Sequence, residues 1–384
     1  MAPLPDASKL PFGASSRRVA HIIQVAYNVD LFMPSKSAVQ TNRQLVELAQ
    51  TSIERRLPSG WGVKLNGRKR DRLELTSPDG TVGYVEIMPL QRTPRGVWTF
   101  VPVSTPTMAV AEWISPRARE ILVFCNIGYV DETGNMLLAL DKPGLFLRDR
   151  GADRDPSPPP GRQPNARGPR AWALQRTLAE VRPPYGLGAL AATLGADAGY
   201  LSRLLNVLAD ELLITRAPRG PVENVEWEAM LRHIATSYSM LDANDTTSWI
   251  APGGADQFLR DLSTAKVGRY AVTGSFAASQ LVSVAAPEIA VVFIDDPDRL
   301  AAATRLRPVR NGGNVVTAIP YDQIVFQRTW SSDNIIYASP AQIVIDCLKG
   351  FGRMPSEADA LVAWMGKRAP LWQAPTLATV AELP

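Results

Sequence analysis

The sequence predicts a mixed α/β (α+β) multidomain chain, and three observations carry that expectation. Short alternating segments interleave with segments of helical spacing before residue 150, and the same mixture returns after residue 225. Between the two, GADRDPSPPPGRQPNARGPR (151–170) has no periodicity and holds three consecutive prolines, the composition of a semi-rigid spacer. The stretch that follows reads as three short helices and a hairpin. A length of 384 residues accommodates two or three such units.

In chain order, residues 1–16 read as a tail and 17–150 as one α/β domain. Helical spacing runs from 17 to about 57; in NRQLVELAQTSIERRL, Leu45, Leu48, Ile53 and Leu57 can share a face. From Trp61 the texture turns to short strands, and Pro78-Asp79-Gly80 between two alternating runs marks a hairpin. Met108 to Glu120 reads as helical, followed by strands in ILVFCNIGYV, NMLLAL and GLFLRD. A linker is expected at 151–169. Residues 170–224 supply AWALQRTLAEV, then LGALAATL stopped by Gly195, then DAGYLSRLLNVLADELL with Asp197 as N-cap. A strand, a Gly-Pro turn and a second strand complete that unit. The remainder, 225–384, reads as a second α/β unit with strands in RYAVTGS, EIAVVFID, NVVTAIP and IIYAS.

Composition narrows the function classes. Apolar residues make up 46% and charged residues 20%, an ordinary globular balance. Every hydrophobic run breaks well before 18 residues, so no transmembrane helix or membrane partner is expected, and no secretory signal is visible. Cys125 and Cys347 both lie in apolar runs and read as buried thiols of a reducing cytoplasm. With His21 and His233 the only histidines, neither a metal site nor a cofactor is expected. The net charge is only +4, but from Ser157 to Asn206 Arg162, Arg167, Arg170, Arg176, Arg182 and Arg203 face only Glu180 and Asp197. The middle of the chain is its basic part.

Three helices and a hairpin in about 55 residues form the winged helix-turn-helix pattern. Leu201, Leu204, Leu205 and Leu208 share one face of the third helix and predict packing inward. The opposite face then presents Tyr200, Ser202, Arg203 and Asn206, side chains able to meet phosphates and base edges. Arg216 and Arg219 flank the hairpin tip beside Gly220-Pro221, and Arg167 and Arg170 stand next to the unit in the linker. The expected partner is double-stranded DNA. Such modules usually meet two-fold symmetric operators, so a homodimer on an inverted repeat is expected too.

Two other constellations resemble catalytic sites. Asp71 followed by Glu86-Ile-Met88 across a hairpin resembles a restriction-endonuclease core, but Met88 stands where a water-orienting lysine is required. Thr273-Gly-Ser275, followed by Glu288 to Asp296, resembles the opening of a nucleotidyltransferase fold, whose metal pair needs two carboxylates two residues apart. Here Ala290 takes the second position, and Asp295 and Asp296 fall at the far end of the strand. Both domains therefore read as degenerate and the protein as a non-enzyme with no catalytic residue. The alternative is a metal-dependent nuclease or nucleotidyltransferase recruited to DNA. His233 reads as packed or interfacial, and Lys349 to Arg353 as a helix end at glycine.

The segments SPRAREIL, GYVDETGNMLLALDKPGLFL, RPPYGLGALAATLGADAGYLSRLLNVLADELLITRAPRG, RYAVTGSFAAS, AVVFIDDPD and YASPAQIVIDCLKGFGRMPSEADALVAWM together resemble AbiEi-type antitoxins and their actinobacterial relatives, over about 110–375. The resemblance implies an antitoxin of a type IV toxin–antitoxin system. Its winged helix would repress its own promoter, and its C-terminal domain would counter a nucleotidyltransferase toxin. Residues 1 to about 105 exceed what a minimal antitoxin needs.

Overall fold

A computed structural model describes residues 36–66, 71–90, 103–157, 166–216, 220–284, 286–310 and 312–378, with side chains from 42 onward. The chain is mixed α/β and divides into two compact units, Met1–Gly161 and Arg162–Pro384. Among the described residues no helix is long and apolar enough to cross a membrane.

In the first unit, helix α1 (Lys36–Glu54) lays Leu45, Val46, Ala49 and Ile53 against a seven-stranded sheet. The strands follow chain order: β1 (Gly62–Leu65), β2 (Arg72–Thr76), β3 (Val82–Pro89), β4 (Thr107–Ala111), β5 (Ile127–Asp131), β6 (Met136–Leu140) and β7 (Leu145–Asp149). Its two ends are antiparallel, while β3, β4 and β5 run parallel. The β2–β3 hairpin turns where the Pro-Asp-Gly signal places it, with Gly80 at φ +83° and Asp79 accepting from the Thr81 amide at 3.0 Å. The sheet curls strongly. A Cβ on Gly83 of β3 would lie 2.5 Å from the Pro143 ring, so that glycine admits the β6–β7 turn.

Two expectations change here. Thr107–Ala111 is a strand rather than the start of a helix, and the helix α2 is Pro116–Phe124, capped by the Ser115 hydroxyl at the Ala118 amide. The ILVFC run accordingly ends that helix, and the strand begins only at Ile127. A run such as TMAVAEW is apolar enough for either state, and pairing with both β3 and β5 selects the strand. Residues 17–35 of the expected helical stretch lie outside the described residues, as do 158–165 of the expected linker.

The second unit starts with helices α3 (Pro169–Glu180), α4 (Leu187–Leu194) and α5 (Ala198–Asp210), then strands β8 (Ile214–Arg216) and β9 (Val222–Val225). Tyr185 bridges to Val222 and adds a third edge to the β8–β9 ribbon. Helix α6 (Trp227–Ser237) and the short α7 (Met240–Ala243) lead into a second seven-stranded sheet. Its spatial order is β13 (Arg307–Pro308), β10 (Asp245–Ile250), β14 (Val315–Ile319), β12 (Ala290–Ile294), β11 (Tyr270–Thr273), β16 (Ile335–Tyr337) and β15 (Trp330–Ser332). Helices α8 (Ala255–Leu262), α9 (Gly274–Ser279), α10 (Pro297–Thr304), α11 (Pro340–Leu348), α12 (Met354–Lys367) and α13 (Ala369–Trp372) complete it. Every residue of α11 from Pro340 to Cys347 is buried, which places this helix at the centre of the unit.

One hydrophobic core runs from Ala166 to Leu377, so the segment of α3 to α5 with the β8–β9 ribbon and the C-terminal segment share a single interior rather than closing separately. Helix α3 joins them: Ala171 through Glu180 are all buried, and it packs on α6 and α11. Arg176, 0% exposed, spends all five of its donors there. Nε reaches Glu180 at 3.2 Å, Nη1 reaches Gln342 at 3.1 Å and the Ile324 carbonyl, and Nη2 reaches the Gln327 carbonyl at 2.7 Å and Ser339 at 2.9 Å. Ser339 in turn donates to Glu180. Removing one partner leaves a buried charge without compensation. Arg176→Met or Glu180→Met alone should therefore cost ~3–5 kcal/mol in denaturant unfolding, and the double replacement should cost much less than the sum.

Candidate nucleic-acid interface

Helix α5 begins at Asp197, whose carboxylate accepts from the Tyr200 amide at 2.7 Å, and the preceding Gly195 closes α4 in the left-handed conformation at φ +56°. Three residues thus turn one helix into the next. Leu201, Leu204, Leu205 and Leu208 are fully buried, as their spacing requires. The opposite stripe, Gly199, Arg203, Asn206 and Asp210, is exposed. Arg203 and Asn206 make no hydrogen bond or ion pair among the described residues, so both side chains are available to a partner. The Arg203 guanidinium lies back along the helix, with a Cβ on Gly199 falling 3.8 Å from Nη1. Gly199 keeps that end of the stripe low. The sequence analysis does not single it out, although its i, i+4 spacing with Arg203 is the available signal.

The remaining expected contacts divide. Arg167 and Arg170 are exposed together around the start of α3. Ser202 is half-buried at the margin of the stripe. Tyr200 is half-buried too and packs against the hydrophobic core, so its ring is a support rather than a free outward group. Arg216 corrects the expectation of a surface wing cation. It is 8% exposed, and Nη1 has neither solvent nor a partner among the described residues. Strand alternation puts it on the same face as buried Ile214, and it pairs with buried Val222 across a bulge at Thr215. Burial pushes its pKa down. The outward residues described on β9 are Glu223 and Asn224, while Arg219 lies outside the described residues.

In the two constellations that resemble catalytic sites, Glu86, Thr273, Ser275 and Asp295 are engaged. Arg72 stands opposite Glu86 in the β2–β3 register and donates Nε to its carboxylate at 2.7 Å. Asp71 precedes β2, and Met88 is half-buried opposite Ala109 of β4. In the second unit, the strand–helix turn Thr273-Gly274-Ser275 lies under α11 and α12. Thr273 donates its hydroxyl to Asp346 at 2.6 Å, and Ser275 donates to Glu357 at 2.6 Å. A Cβ on Gly274 would lie 2.6 Å from the Met354 methyl, so the space above the turn is filled. Glu288 is exposed ahead of β12, Asp295 pairs with Arg269 at 3.0 Å, and Asp296 caps α10. Among the described residues no cluster of three or more His, Cys, Asp or Glu could hold a metal ion.

No protein-family model, curated protein or solved structure matches the chain. Its function is therefore read from its own residues.

Asp346, which the sequence analysis passes over although an acid inside IVIDCLKG is conspicuous, sits at the centre of the buried polar set. It accepts from Tyr238 at 2.7 Å and Gln342 at 2.8 Å besides Thr273. Burial pushes its pKa up to about 6 despite those three donors. An acid whose folded pKa exceeds its unfolded value is bound to more protons when folded. Its stabilising contribution is therefore present at low pH and is lost as pH rises from about 4 to about 6. Asp346→Asn preserves the shape and the acceptor for Tyr238 and Gln342. The difference in unfolding free energy between wild type and this variant should change by ~3 kcal/mol across that interval and stay flat above it. A flat difference throughout would show that Asp346 does not titrate there.

Proposed function

We propose that the protein is a DNA-binding transcriptional repressor of antitoxin type, holding duplex DNA with the exposed stripe of α5. The observation that carries this reading is the pairing of two faces on one helix: four leucines buried, and Arg203 with Asn206 exposed and unpartnered among the described residues. A helix with Arg203 and Asn206 one turn apart on its exposed face suits the major groove, where they match guanine and adenine edges. Arg167 and Arg170 supply phosphate contacts on this reading. The protein acts in the cytoplasm at the nucleoid, as a homodimer on an inverted repeat, with a nucleotidyltransferase toxin as its protein partner.

The flanking domains read as degenerate scaffolds. The first combines an antiparallel β1–β2–β3 ribbon with parallel β4 and β5, an endonuclease-like order, but Glu86 is neutralised by Arg72 and no lysine follows it. The C-terminal sheet has the strand, Gly-Ser turn, helix and antiparallel strand of a nucleotidyltransferase, with its hydroxyls spent on Asp346 and Glu357. These engaged groups favour a binding protein over a DNA-recruited, metal-dependent enzyme.

Binding to a random-sequence duplex, measured across a salt series, tests the reading. Arg203→Ala, Arg167→Ala and Arg170→Ala should each weaken binding and reduce the slope of log K against log salt by about 1 for every phosphate that is no longer neutralised. On the protein's own promoter, Asn206→Ala should cost ~1–3 kcal/mol without changing that slope. A triple arginine variant that binds like wild type would remove the proposal.

A further inference from the structure

Beside the junction of α6 and α7 the second unit opens a polar cleft of about 180 Å³. Its apolar lining is Ala243 of α7 with Trp172 of α3 and Tyr238, two rings that meet edge to face with centres 5.2 Å apart. Trp172 Nε1 is used on Ser237 at 3.1 Å, so the exposed edge of that ring offers the cleft carbon surface, while Tyr238 is fully buried behind it with its hydroxyl on Asp346 at 2.7 Å. Two opposite charges also line it, Asp242 and Lys349, and both are exposed. Lys349 donates to the Thr236 carbonyl at 3.1 Å, which holds the ammonium in place and leaves two of its three donors unspent. Asp242 makes no hydrogen bond or ion pair among the described residues. Ser239, half-buried on the same cleft, occupies the N-cap of α7 without making the usual capping bond.

Opposite charges that share one small cleft gain by meeting each other, yet Asp242 and Lys349 form no ion pair. A ligand carrying both signs satisfies the two at once. A ligand with a single charge would meet one attractive group and one repulsive one. The volume equals that of about six water molecules at ~30 Å³ each, which is the scale of a free amino acid. We propose that this cleft binds a small zwitterion of the amino-acid class. Its ammonium lies on Asp242, its carboxylate lies on Lys349 and the Ser239 hydroxyl, and its side chain lies against Trp172 and Ala243. The site is independent of the DNA-binding reading, because it concerns the free protein.

The twenty common L-amino acids, each added singly to the full chain, provide the probe, with thermal unfolding as the readout. At least one should raise Tm by about 2 °C when present at ten times its Kd. The N-acetyl and carboxamide derivatives of that amino acid should lose the effect. Asp242→Asn and Lys349→Met should abolish it while leaving the ligand-free Tm unchanged, since both side chains are exposed. Isothermal titration should show the same loss of affinity, at least tenfold in each variant. If no free amino acid shifts Tm, or if a shift survives either replacement or either blocking group, the zwitterion site is overturned.

Discussion

The constraint on which the second unit depends is the solvation of one guanidinium. Arg176 has no contact with water, and a cation in that position is tolerated only when the protein replaces every hydrogen bond that water would have made. Its five partners come from Glu180 on its own helix, from the short 3₁₀ turn Gln323–Phe326 and the residue after it, and from the first turn of α11. The planar fork leaves little freedom to re-pair, so satisfying it fixes α3 against the α/β layer. Because α4, α5 and the β8–β9 ribbon share their core with α3, the exposed stripe of α5 inherits that placement.

The same demand for satisfied polar groups separates the Thr273-Gly274-Ser275 turn and Glu86 from the exposed stripe of α5. Thr273 and Ser275 each give their proton to a buried carboxylate, and Glu86 is held by Arg72. Asp346 also shows how much donors can offset: three hydrogen bonds favour its charged form, and burial still prevails. Arg203 and Asn206 present the reverse case, polar groups with solvent access and no internal partner among the described residues. Polar side chains that are exposed and unengaged on one face of a helix whose other face is core are the informative surface.

Local signals make much of this legible. The leucine period of α5, the glycine that stops α4, the Asp197 cap and the Pro-Asp-Gly turn all depend on neighbours within a few residues, and each is found where its chemistry puts it. Long-range partners are not legible. Nothing near Arg176 announces that Ser339, Gln342 and the 324–327 turn will surround it, and in the sequence it reads as one more basic surface charge. Thr107–Ala111 can be assigned only from the strands beside it. Arg216 is the instructive miss: its nearness to a turn suggests exposure, although Ile214 two residues earlier already places it on the buried face.

The burial of Arg176 sharpens the geometry of the proposed interface. With that arginine internal, the described cations exposed around α3, α4 and α5 are Arg167, Arg170, Arg182 and Arg203. Asp197 caps the N-terminal end of α5, and acids gather more densely toward its other end and on the ribbon, at Asp210, Glu211 and Glu223; Glu211 is 3.2 Å from His233 of α6. The helix therefore carries Arg203 in its N-terminal half and Asp210 at its C-terminal end, and the peptide dipoles run the same way. A polyanion approaching this surface meets attraction at one end of the stripe and repulsion at the other. On the DNA reading, α5 enters the groove N-terminus first, with Gly199 giving the backbone the closest approach and the Asp210 end tilted away from the phosphates.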